Sequence, residues 1–95
     1  MTSQLLSEKR NKILKLAAAR GMSNVRVFGS FARGTATEKS DVDLLVDAGP
    51  DRSMLDVFGL WLDLEELLGR KVDLITEGGI YSRLRDRILD EARPL

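Results

Sequence analysis

From Asp41 to Val46 the chain reads Asp-Val-Asp-Leu-Leu-Val, carboxylates and aliphatic residues alternating before the run turns wholly apolar. Successive side chains of a strand point to opposite faces, so Val42, Leu44 and Val46 share one face and Asp41, Asp43 and Leu45 the other. This predicts a strand that gives one face to a core and carries two carboxylates on the other. Ala48-Gly49-Pro50 then supplies a turn. With 95 residues, 43% of them apolar and few Gly or Pro, the chain has material for one small folded domain over residues 1–95 and little for a second core. It contains no cysteine and no histidine, which excludes disulfides, structural zinc, thiol nucleophiles and histidine-based triads within it.

The remaining elements follow from periodicity. Leu6, Ile13, Leu16 and Ala17 recur at near-helical spacing between Leu5 and Arg20, and Gly21 offers a stop, predicting an amphipathic helix with basic residues mostly outward. Val25–Phe28 reads as a short strand ending at Gly29-Ser30. Phe31-Ala32-Arg33 can begin a short helix, which Gly34 weakens. Ser53 and Asp56 have capping-box spacing ahead of an apolar helix that runs to Leu68 and closes at Gly69. Its apolar residues cover more than one face, which fits either burial between layers or a face kept for a partner. Val72, Leu74 and Ile75 form a third strand. Tyr81, Leu84, Ile88 and Ala92 mark a last helix whose end Pro94 suits. The fold class expected is α/β (α+β), about three strands flanked by helices.

Fifteen basic and fifteen acidic residues cancel, and no basic-aromatic interleaving appears, so polynucleotide binding is not expected. Lys9, Arg10, Lys12, Lys15, Arg20 and Arg26 do crowd the N-terminal quarter, as a solvated helix face or as a surface for phosphate or a partner. The chain has no secretory h-region and no membrane-length apolar run, and a cytoplasmic location is the expectation.

Asp41 and Asp43 lie about 6–7 Å apart at Cα if both are on the strand, which lets their carboxylates converge on a divalent cation. Two like charges facing each other must be exposed, protonated or neutralised. Oxygen donors without His or Cys suit Mg²⁺ or Mn²⁺ better than Zn²⁺. An isolated Asp-x-Asp pair is, however, an ordinary feature of solvent-facing strands. Asp73, between Val72 and Leu74, either completes an acidic cluster with the pair or points outward from an edge strand. Gly29-Ser30 lies where a strand meets a short helix, so backbone N–H groups and a hydroxyl there can hold phosphate. The long glycine loop of a P-loop is missing. Arg33 can neutralise a phosphate or form a surface ion pair; Lys39 and Ser40 sit beside the acidic pair, Ser40 as turn residue or ligand; Glu38 reads as a loop residue.

Taken together, GSFARGTATEKSDVDLLV resembles the nucleotidyltransferase signature of the DNA polymerase β-like superfamily, specifically its minimal MNT branch. The resemblance rests on Gly29-Ser30, Ala32-Arg33-Gly34 and Ser40-Asp41-Val42-Asp43-Leu44, and extends through KVDLIT to the last helix. Thr37 departs from it, since related minimal proteins often carry Arg there. The resemblance implies a minimal polymerase β-like fold with a small mixed sheet, divalent ions on Asp41 and Asp43, and Asp73 completing a catalytic triad. Gly29, Ser30 and Arg33 are then the nucleotide-binding residues, with ATP the donor and Mg²⁺ the metal.

Members of that branch work beside HEPN toxins, and some look like antitoxins that attach AMP to a tyrosine hydroxyl of the toxin. The implied activity is therefore Mg²⁺-dependent protein adenylyl transfer with a HEPN-type toxin as partner. The competing expectation is a non-catalytic antitoxin or scaffold that neutralises a partner by binding, for instance through the 54–68 helix. Transfer to a small molecule is a minor alternative, because relatives of that kind carry an added substrate domain. A homodimer and a hetero-oligomer are both compatible with the apolar helix.

Overall fold

A computed structural model describes residues 4–79 and 82–95. Helix α1 (Gln4–Ala19) buries Leu6, Ile13 and Ala17 on one stripe, as the near-helical spacing requires. Strand β1 (Met22–Phe28) leads directly into the five-residue helix α2 (Gly29–Arg33), which Gly34 ends in the left-handed conformation. Strand β2 (Val42–Ala48) is followed by helix α3 (Met54–Leu68). At the start of α3 the Ser53 amide donates to Asp56 Oδ2 at 3.2 Å, one half of the expected capping box, and Gly69 closes the helix with φ 64°. Strand β3 (Val72–Thr76), a short 3₁₀ turn (Glu77–Gly79), helix α4 (Ser82–Glu91) and a two-residue strand β4 (Arg93–Pro94) complete the order.

Among the described residues the strands form one mixed sheet in the order β3-β2-β1-β4. β1 pairs antiparallel with both β2 and β4, while β2 and β3 run parallel. A parallel pair needs a crossover, and α3 provides it. The main core lies on one sheet face, where Val25, Val27, Val42, Leu44, Val46 and Val72 meet the buried stripes of α1 and α3. On the other face Phe28 and Leu45 pack with Ile88 of α4, flanked by Ile75, Leu89 and Ala92. Val42, Leu44 and Val46 thus share a side as alternation predicts, and Leu45 is fully buried on the opposite one.

Several details differ from the sequence reading. β1 begins at Met22, three residues before the predicted start, and its pairing with β2 is irregular between Ser23 and Arg26, where Asn24 has φ 52°. A bulge of this kind admits residues that break a strand pattern. β4 was not expected: α4 ends at Glu91, and Arg93-Pro94 pairs with Val27 and Arg26 at the sheet edge, where a proline is tolerated. Asp41 lies one residue before β2 instead of within it. In the last helix Ile88 is buried and Leu84 is 47% exposed, while Tyr81 lies outside the described residues. The ambiguity over α3 resolves both ways: Leu60, Leu64 and Leu68 are buried, and Met54, Leu55, Phe58 and Leu62 are exposed. No described helix is long and apolar enough to cross a membrane.

Candidate active site

Parallel pairing of β2 with β3 sets Asp43 directly opposite Asp73. Neighbouring strands lie about 4.8 Å apart, so the two side chains leave the same sheet face as close neighbours. Asp41 precedes β2 and is exposed, as is Asp73; Asp43 is intermediate. The structure therefore brings Asp43 and Asp73 together by register and places Asp41 at the mouth of the same strand end.

Gly29 stands on the β1 side of this cluster, across β2 from Asp73, because β1 pairs Phe28 with Asp43 and Gly29 comes next. Its φ of 69° lies in the left-handed region. A Cβ built at this position would overlap Asp43 Oδ2. Glycine here thus serves the carboxylate as well as the turn: the missing side chain is the space into which Asp43 folds. Ser30 follows, partly exposed, with its hydroxyl in no hydrogen bond among the described residues.

The carboxylates of Asp41, Asp43 and Asp73 likewise make no hydrogen bond or ion pair among the described residues. Asp43 bears the consequence: its carboxyl is pushed up to about 6 by burial first, then by the negative charges of Asp73 and Asp41, with Glu91 adding to them and Arg33 opposing. The cluster is thus a concentration of negative charge that Arg33 offsets only in part.

The supporting residues divide by contact. Arg33 Nη1 donates to Glu91 Oε1 at 2.9 Å, linking α2 to α4 while its field still reaches Asp43. Ser40 behaves as a turn residue, its Oγ accepting the Thr37 amide at 2.8 Å. Thr37 joins the same turn, its Oγ1 accepting the Lys39 amide at 3.3 Å. Lys39 and Glu38 are exposed loop residues. Sequence reasoning missed Arg70. From the turn between α3 and β3, Arg70 Nη1 donates to the carbonyls of both Thr37 and Ser40 at 3.1 Å, and its guanidinium lies 5.2 Å from the centre of the Phe31 ring. It ties α2, the loop before Asp41 and the start of β3 together. A single arginine in a turn has no spacing signature, so no local pattern could have singled it out.

Among the described residues no three His, Cys, Asp or Glu side chains are gathered into a ready cation cage. The donors nevertheless suit a hard divalent cation: all are carboxylate oxygens, and none is in an ion pair among the described residues.

Comparison with known proteins identifies the family. The nucleotidyltransferase domain family matches residues 8–95. A protein of Methanocaldococcus jannaschii assigned as a protein adenylyltransferase is 41% identical over 87 residues, covering 92% of this chain and 94% of the relative. A solved structure described as a minimal nucleotidyltransferase superposes with a TM-score of 0.88 at 48% identity, covering 100% of this chain and 97% of the other. A chain of a toxin–antitoxin crystal structure with AMP-PNP superposes with a TM-score of 0.77 at 26% identity, covering 88% of this chain and 69% of that one.

Proposed function

The chain belongs to the nucleotidyltransferase domain family, and from that premise we propose that it transfers AMP from ATP to a tyrosine hydroxyl of a partner protein, a HEPN-type toxin, and so acts as its antitoxin in the cytoplasm. The observation that carries this reading is the register pairing of Asp43 with Asp73 beside Gly29 and next to Asp41, three carboxylates in no ion pair among the described residues. Similarity to a protein adenylyltransferase and to a toxin–antitoxin chain crystallised with AMP-PNP supports ATP as donor and a protein as acceptor.

Asp41, Asp43 and Asp73 would hold Mg²⁺, or Mn²⁺ in its place, which when bound supplies charge neutralisation and orientation to the triphosphate. Ser30 and the main chain at Gly29 offer donors to the phosphates, and Arg33 adds positive charge at the end of α2. Asp73, the exposed acid facing Asp43, takes the phenol proton as the tyrosine oxygen attacks the α-phosphorus. The new bond joins that oxygen to phosphorus, the bond from the α-phosphorus to its bridging oxygen breaks, and pyrophosphate leaves.

The exposed apolar residues Met54, Leu55, Phe58 and Leu62 on α3 favour a second reading, neutralisation by binding alone. One experiment separates the two. The protein, Mg²⁺ and labelled ATP are mixed with the product of the adjacent gene, and AMP addition and toxin activity are followed together. The proposal expects AMP on a tyrosine peptide of the partner, and loss of both labelling and neutralisation in folded Asp41→Asn and Asp43→Asn variants. Neutralisation without labelling, unchanged in those variants, would establish binding alone.

A further inference from the structure

A cavity of about 400 Å³ opens beside the carboxylates, walled by Met54, Val57, Phe58 and Trp61 of α3 and by Leu74 of β3, with Asp41, Lys71 and Asp73 also lining it. A second cavity of about 430 Å³ shares Met54, Val57 and Leu74 and continues to Thr76. Their shared walls make them two stretches of one groove along β3, which is an edge strand of the sheet.

Phosphoryl transfer requires the attacking and leaving oxygens to lie roughly in line across the phosphorus. Gly29 and Ser30 follow β1, Asp73 lies on β3, and Asp43 on β2 stands between them. A triphosphate anchored at the Gly29-Ser30 turn sends its pyrophosphate toward β1. The acceptor oxygen then arrives from the β3 side, where the groove opens.

The walls state what kind of acceptor fits. Phe58 and Trp61 present rings 6.0 Å apart at 45°, and Met54 and Phe58 are 66% and 49% exposed. Such a wall suits the face of another aromatic ring, while the lining carboxylates suit its hydroxyl. The groove is also rigid where it matters. Trp61 Nε1 donates to the Val72 carbonyl at 2.7 Å, and the Val72 amide donates to Glu65 Oε2 at 3.0 Å. In a parallel ladder alternate residues aim their main-chain groups away from the partner strand, so α3 occupies the outward groups at Val72, and Leu74 is the next outward position on the groove wall. An extended segment can lie along such an edge.

Resting on the adenylyl-transfer reading, we infer that this groove is the acceptor subsite: it takes an extended protein segment whose tyrosine ring lies against Phe58 and Trp61 with its hydroxyl at Asp41 and Asp73. The nucleotide occupies the opposite side and does not share the groove.

Trp61 is the only tryptophan in the chain, so its emission reports occupancy directly. The probe is a library of capped hexapeptides with tyrosine fixed at the third position, titrated with and without saturating AMP-PNP and Mg²⁺. The expected result is a saturable change in Trp61 emission, unaffected by AMP-PNP and weakened about tenfold in Phe58→Ala and Met54→Glu. Both positions are exposed, and melting curves verify that the variants fold. Displacement of the peptides by AMP-PNP would make the groove a base-binding site and overturn the inference, as would no emission change or undiminished binding by both variants. Peptide binding without any binding of AMP-PNP leaves the groove a peptide site and removes the adenylyl-transfer reading. AMP-PNP binding without peptide binding does the reverse.

Discussion

Asp43 and Asp47 lie four residues apart on the same face of β2, and the fold treats them in opposite ways. At Asp47 it supplies a cation: Arg26 Nη2 donates to Asp47 Oδ1 at 2.6 Å and its Nη1 to Glu77 Oε1 at 3.3 Å, with Asn24 Nδ2 adding a bond to Asp47 Oδ2 at 3.1 Å. At Asp43 it supplies further negative charge from Asp73 and Asp41, and a glycine to make room for the carboxylate. The first arrangement is complete without a ligand and ties β1, β2 and the turn after β3 together. The second is complete only when something positive arrives, so it costs stability in the free protein and is available for function.

If this contrast is sound, removing charge at the two ends has opposite consequences. The largest effect is expected from Asp43→Asn, which lowers AMP transfer about a thousandfold, measured by mass addition to the partner. The same variant is the more stable protein without metal, because it removes the repulsion. Next is Gly29→Ala, whose Cβ is strained at positive φ and collides with Asp43. It should cost about 1–3 kcal/mol in thermal or denaturant unfolding and reduce transfer about a hundredfold by displacing the carboxylate. Arg26→Ala should cost about 1–2 kcal/mol in the same unfolding measurement and leave the rate per folded molecule unchanged. A matching loss of rate would erase the distinction between the two ends. The smallest effect is expected from Arg70→Ala: about a fivefold loss of transfer, with little change in stability, as the loop before Asp41 loosens.

The parts of this picture legible in the sequence are those that alternation or capping writes locally. Asp43 shows its face because Val42, Leu44 and Val46 flank it on a strand, and α3 shows its start through Ser53 and Asp56. Asp73 was a candidate for the same reason, yet its position opposite Asp43 depends on the parallel register of strands thirty residues apart in sequence, which no local spacing carries. The ion pairs of Arg26 were hidden because they need the antiparallel pairing and the bulge at Asn24. β4 is too short to leave a pattern, and it exists because the sheet edge accepts Arg93-Pro94. Gly29 was legible as a turn residue, but its service to Asp43 needed the two strands in place.

The excess negative charge around Asp43 can be measured without any partner. Its carboxyl is raised from 3.8 to about 6, so the folded state prefers the proton, and stability of the metal-free protein should fall as pH rises from about 4 through 6. Discounted for partial solvation, the loss is about 1 kcal/mol. Thermal unfolding of the wild type and Asp43→Asn, at pH 4 and pH 7.5 with and without Mg²⁺ and AMP-PNP, therefore tests the central claim most directly. The account predicts that at pH 7.5 the metal-free variant melts above the wild type, that the difference closes at pH 4, and that Mg²⁺ with AMP-PNP raises the wild type alone. A variant that melts below the wild type at pH 7.5 and gains equally from Mg²⁺ and AMP-PNP would contradict it.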